Sequence, residues 1–275
     1  MYKTAKTKSV LSLMALMLLL GGCTYESGPK EFALESAAAA KPADQGKVEQ
    51  TTSGRTMLEA AIKKAKTDPD SQKFWYKGHV KNTLLSRTTT SMFEGAVVKP
   101  DGYNVDARIA RQTYQYYQID GKRYVRVGDA WITAQEDPLP FDVMHGFEDI
   151  LPLMDRAEQV KVGDNKIYGV ECIPFQIKMN VTEWLSMSKS ELFEPMRQQL
   201  AGRSDMQKIL DNSTVKMTVW IGKEDQRFYQ YETWIILPFP DGGYMDQQIL
   251  FSFYKYNDPG IKIKDPEEVE KYLLY

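Results

Sequence analysis

The chain has 275 residues with 35 basic and 37 acidic side chains, a net charge of −2. That near-balance excludes the basic stripe of a nucleic-acid binder and the polybasic segment of an electrostatic membrane switch. Aromatic residues make up 12 % of the chain, with tyrosine the commonest of them, a composition suited to half-buried sheet faces.

The first element is a leader. Lys3, Lys6 and Lys8 precede an apolar run over 10–20, and small residues follow. A basic start, an apolar middle and a small-residue cut site make a secretory signal, and the run is too short for a permanent transmembrane helix. Leu20-Gly21-Gly22-Cys23 resembles the bacterial lipobox. That resemblance implies cleavage before Cys23, lipidation of its sulfur, and a lipid-anchored protein on the extracytoplasmic face of the cell membrane. Residues 23–54 are poor in apolar bulk and read as a flexible tether. The folded domain is expected over 55–275. Its only cysteine is Cys172, which reads as a small buried strand residue with no disulfide partner.

The domain opens with a helix predicted over 56–66, with Leu58, Ala61 and Ile62 on one face and Asp68-Pro69-Asp70 as the stop. The pattern then switches to period two. Phe74, Tyr76, Val80 and Leu84 alternate with Lys77, His79, Lys81 and Thr83 in the first strand. Strands over 89–98, 103–109, 113–119, 122–127 and 131–132 follow, with Asp120-Gly121 as a two-residue hairpin turn. Phe141, Met144, Phe147 and Leu151 recur at helical spacing, with Pro152 ending or kinking that helix. Strands are predicted again over 160–162 and 168–179, the latter carrying Pro174 as the mark of an edge or bulge. A helical insert over 186–212 carries Leu192, Met196 and Leu200 on one stripe, and Ser188/Glu191 and Ser204/Gln207 as capping boxes. Three long strands, over 215–221, 227–237 and 245–256, complete the sheet. In the last of them Ile249, Phe251 and Phe253 share one face, and Leu250, Tyr254 and Tyr256 the other, as in a strand covered on both sides or lining a cavity. A short strand over 261–264 and a terminal helix ending near Leu274 follow.

The local sequences Tyr116-Tyr117-Gln118-Ile119-Asp120-Gly121-Lys122-Arg123-Tyr124-Val125 with Trp131, Gly169-Val170-Glu171-Cys172, Val219-Trp220-Ile221-Gly222-Lys223-Glu224 and Tyr256-Asn257-Asp258-Pro259-Gly260-Ile261-Lys262-Ile263, in this order of elements, resemble the LolA/LolB and LppX/LprG group of lipoproteins and lipoprotein carriers. The resemblance covers 56–275. It implies an α+β fold: a curved antiparallel half-barrel of about nine to eleven strands whose concave face is covered by helices. It also implies a hydrophobic ligand (lipid, lipopeptide or acyl chain) in the cavity. The residues then expected to line it are Phe141, Met144, Phe147, Leu151, Leu192, Met196, Leu200, Phe251 and Phe253. The alternative is a sensor or scaffold lipoprotein, of the envelope-stress or spore-germination type, that docks a protein partner.

Enzyme signatures are sparse. His79 and His145 lack metal-like partners at standard spacing, and no nucleophile elbow or phosphate loop is present. The adjacent pairs Glu136-Asp137, Glu148-Asp149 and Glu267-Glu268 point apart along a strand or helix and are poor evidence of a shared site. The expectation is a non-enzymatic protein with no cofactor and no metal. Met144, Met154, Met187, Met196, Met206, Met217 and Met245 read first as core filler and second as an adaptable ligand lining.

Overall fold

The computed structural model describes residues 52–84, 87–100, 102–109, 112–127, 130–134, 151–160, 165–187, 198 and 200–263. Cys23, Phe141, Met144, Phe147, Leu192 and Met196, the Ser188/Glu191 pair and the terminal helix lie outside them.

Helix α1, Thr52–Thr67, begins one turn earlier than expected. Thr52, Ser53 and Gly54 are weak helix formers, so pattern alone left them out, but no proline prevents them from extending the helix. Its stripe of Met57, Leu58, Ala61 and Ala65 is buried. Asp68 stops it and caps a short 3-10 turn, Pro69–Ser71.

Among the described residues twelve strands follow: β1 Lys73–Leu84, β2 Arg87–Val98, β3 Gly102–Ile109, β4 Gln112–Ile119, β5 Lys122–Val127, β6 Ala130–Ala134, β7 Glu158–Gln159, β8 Lys166–Ile167, β9 Val170–Met179, β10 Thr214–Gly222, β11 Phe228–Pro238 and β12 Tyr244–Tyr254. Eleven of them form one antiparallel sheet in the order β6-β5-β4-β3-β2-β1-β12-β11-β10-β9-β7, and β8 pairs with β9 alone. The sheet does not close on itself: it is the curved half-barrel that the resemblance implies. Two meanders meet where the first strand pairs with the last, along a ladder from Trp75↔Tyr254 to Leu84↔Met245.

Helical pieces cover one face of the sheet. Among the described residues these include α1, a 3-10 helix over Leu151–Arg156, α2 Val181–Met187 and α3 Met206–Asp211. Leu58, Leu153, Met154, Trp184 and Ile209, none more than 2 % exposed, share a single core with the inward side chains of the strands. Alternation makes this core. Gly78 takes an inward position of β1 and leaves a gap, which the ring of Phe251, its cross-strand partner, fills. Phe251 stacks in turn on Phe93 of β2 and Tyr231 of β11, with ring centroids 6.4 and 5.3 Å away.

Several sequence expectations need correction. Tyr168 and Gly169 are not strand: with φ of 48° and 80° they form the turn between β8 and β9. A tyrosine with positive φ carries no turn signature, whereas Asp120-Gly121, with φ of 48° and 76°, behaves as expected. Of the strand expected over 160–162, residues 161 and 162 lie outside the described residues; Val160 follows β7 and donates its N–H to the Pro174 carbonyl at 3.1 Å. Pro174 lies between the β9 residues paired with β8 and those paired with β7, so its missing donor falls at a seam. The helix expected over 141–151 lies outside the described residues up to its last position; Leu151 and Pro152 themselves open a 3-10 helix, Leu151–Arg156. Ser204 caps nothing: Asp205 is the N-cap of α3, and Gln207 reaches Asp211 at 2.9 Å. β12 stops at Tyr254, since Lys255 and Asn257 adopt positive φ. Residues 261–263 are not strand, and the Ile261 N–H bonds the Asp258 carbonyl at 3.1 Å.

The outer face has a small core of its own. The β8–β9 hairpin brings Ile167 and Cys172 against Trp220 and Tyr229. The β10–β11 pairing slips between Trp220 and Ile221, which lets Phe228 enter the main core while Tyr229 joins the outer one. This explains why the end of β10 is buried on both faces although its sequence alternates.

Candidate functional site

The described interior meets solvent at the end of the β1–β12 ladder. Leu84, the last residue of β1, faces Met245 near the start of β12. The β11–β12 turn lies beside them. In it, the Gly242 N–H donates to the Phe239 carbonyl at 3.1 Å, and Gly242 and Gly243 have φ of 95° and 82°, which glycine alone adopts without strain. Opposite lies the end of the helical insert, where Leu200 is buried and Gly202, with φ of 87°, turns the chain out toward α3. Leu84, Leu200, Arg203, Phe239, Asp241, Gly242 and Met245 line a half-open cavity of about 200 Å³.

Arg203 spans this mouth. Its guanidinium makes a two-bond fork to Asp205, both at 2.9 Å, reaches Asp241 of the β11–β12 turn at 3.6 Å, and lies 4.9 Å from the centre of the Phe239 ring. The hydrogen bond with Arg203 holds the Asp205 carboxyl below the usual carboxylate range. The insert is thus tied to the sheet by one cation shared between two carboxylates and an aromatic face. One row further into the barrel, Gln247 Nε2 donates to Asn82 Oδ1 at 2.8 Å, a polar pair in apolar surroundings.

Of the residues expected to line a cavity, Leu200 is at this mouth. Leu151, Phe251 and Phe253 are buried in the main core, away from it. Met245 was read first as core filler and second as ligand lining; Arg203, Phe239 and Asp241 were not singled out as site residues. Asp241-Gly242-Gly243 is legible as a turn, but nothing local shows that the turn faces Arg203.

The other titratable candidates are quiet. Burial, and then Lys81, push the His79 imidazole below its ordinary value, so it is neutral at pH 7. Burial pushes the Cys172 thiol up to about 12, which makes it inert. Among the described residues no three His, Cys, Asp or Glu side chains are placed to hold a metal ion, and no helix is long and apolar enough to cross a membrane.

No protein-family model and no curated protein matches this sequence. Solved structures that are similar to it include LprF from Mycobacterium bovis, at 10 % identity over 80 % of this chain and 99 % of that one, with a TM-score of 0.46. A LolA superfamily protein from Nitrosomonas europaea aligns at 9 % identity over 78 % and 96 % of the two chains, with a TM-score of 0.28. The MucA/MucB complex of Pseudomonas aeruginosa aligns at 10 % identity over 78 % of this chain and 61 % of that one, with a TM-score of 0.32.

Proposed function

We propose that the chain is an extracytoplasmic, non-enzymatic lipoprotein, held to a membrane through a lipid on Cys23, whose half-barrel binds a hydrophobic ligand at the mouth between the β1–β12 end and the helical insert. The observation that carries this reading is the cavity itself. Leu84, Leu200, Phe239 and Met245 give it apolar walls, and among the described residues its charged lining groups, Arg203 and Asp241, come from the two sides that meet there. Such a site suits an acyl chain, with about 0.8 kcal/mol from each buried methylene.

At about 200 Å³ the cavity is smaller than the roughly 300–1,000 Å³ of a drug-sized ligand pocket. Uptake of a full acyl chain therefore requires the insert to lift from the sheet end, and the Arg203–Asp241 and Arg203–Phe239 contacts are the latch that it must release. Native mass spectrometry of the full chain taken from its own envelope tests the reading. A discrete added mass that disappears on organic extraction is the expected result, and its absence across several growth states overturns it.

A second reading, docking of a protein partner, is favoured by a different observation. The protein's own side chains, Leu153, Met154 and Trp184 among them, fill the described interior. Crosslinking in the envelope is the measurement that would identify such a partner.

A further inference from the structure

The outer face of the sheet carries a feature that the ligand mouth does not use. Lys178 of β9 and Lys216 of β10 are direct cross-strand partners. Their sequence neighbours Ile177, Met179, Val215 and Met217 are buried in the main core, so both lysines project from the opposite face. The row continues through Trp234 of β11, Gln248 of β12 and Lys81 of β1. It holds three lysines and no acid. Like charges set directly opposite on a sheet destabilise it. No described carboxylate comes within ion-pair distance of either ammonium, although Glu232, opposite Thr218 on the next row, lies near enough for Lys216 to feel its charge.

We propose that Lys178 and Lys216 form a binding site for a phosphate-class oxyanion. Two ammonium groups on adjacent strands, about 4.8 Å apart at the backbone, can each give a charge-assisted hydrogen bond of about 2.7–2.9 Å to a different oxygen of one tetrahedral anion. Trp234, in register with Lys216, walls the site on its β11 side and strengthens charge–charge attraction by excluding water. Burial, and then Lys178, push the Lys216 ammonium below its ordinary value. A bound anion reverses the second effect.

Free phosphate and a lipid headgroup offer the same chemistry, and two arms of one experiment separate them. The full chain is held in zwitterionic detergent and titrated with inorganic phosphate, against chloride at equal ionic strength. It is also placed in phosphatidylcholine vesicles with and without phosphatidylglycerol. Thermal midpoint and lysine ammonium NMR shifts are read throughout. The expected result is a phosphate-specific rise in midpoint with shifts at Lys178 and Lys216, or the same shifts only with phosphatidylglycerol. The first outcome assigns the site to a free anion and the second to a headgroup. In the double variant Lys178→Gln, Lys216→Gln the response weakens by about tenfold or more, while the midpoint without anion is equal or higher, since the repulsion is gone. No response in either arm, or a variant that responds like the parent, overturns the site.

Discussion

Leu84 and Asp241 act on the same mouth in opposite senses. Leu84 is a half-buried wall residue at the end of a strand, so Leu84→Glu places a charge where an acyl chain would enter while the core stays intact. It is expected to abolish uptake of a fluorescent fatty acid with little change in thermal midpoint. Asp241→Ala removes one arm of the Arg203 latch and is expected to speed uptake severalfold. Stopped-flow fluorescence reads both, and unchanged uptake in both would remove the mouth as the site. Cys172 tests burial directly. With a thiol pushed up to about 12, it should resist iodoacetamide at pH 8 in the folded protein and react after unfolding, as mass spectrometry of the alkylated chain will show.

At the scale of elements, the lower end of the barrel is closed by groups distant in sequence. Arg227, just before β11, reaches Asp68 and Asp70 after α1 at 3.4 and 3.6 Å and lies over the Tyr256 ring at 5.3 Å. Lys64 of α1 donates to the Asp225 carbonyl at 2.7 Å, and the Tyr256 hydroxyl donates to the Phe228 carbonyl. Burial raises the Asp68 carboxyl, but the Asp70 N–H, the Ser71 hydroxyl and Arg227 together outweigh it and hold the group below its ordinary value. A carboxyl depressed on folding stabilises the protein above its unfolded value, about 3.9, and that stabilisation is lost as pH falls through the folded value. The stability gap between the parent and Asp68→Asn should therefore narrow from pH 5 to pH 3, measured by urea unfolding. Arg227→Ala should cost about 1 kcal/mol at neutral pH. The same elements show where pattern stops being informative. The β8–β9 turn, the slip at Trp220 and the outer core of Ile167, Cys172, Trp220 and Tyr229 depend on one another, and none has a local signature.

For the whole molecule, β12 is the decisive strand. It lies between β1 and β11 and joins the two meanders, so neither half buries its inner face without it. A chain ending at Gly243 leaves two long edges open beside an uncovered aromatic stack, and it is expected to aggregate or stay unfolded. A cooperative thermal transition in that truncated chain would contradict the role given to β12. The β1–β12 ladder pairs Trp75 with Tyr254 and so joins residues from the two ends of the folded domain in the middle of the open sheet. Contacts so distant in sequence make for slow folding.

Alternation of apolar and polar residues was enough to place most of β1 to β5 and β9 to β12 and to give each an inner face, because burial on one side of a pleated strand imposes period two on the residues themselves. The Asp120-Gly121 turn was legible for a similar reason: its backbone conformation selects those residue types. The pairing of β1 with β12, the filling of the Gly78 gap by Phe251 and the meeting of Arg203 with Asp241 and Phe239 were decided only in three dimensions. Each joins residues whose own neighbourhoods are ordinary, and the free energy that selects it comes from surface buried between distant segments, which leaves no periodic trace along the chain.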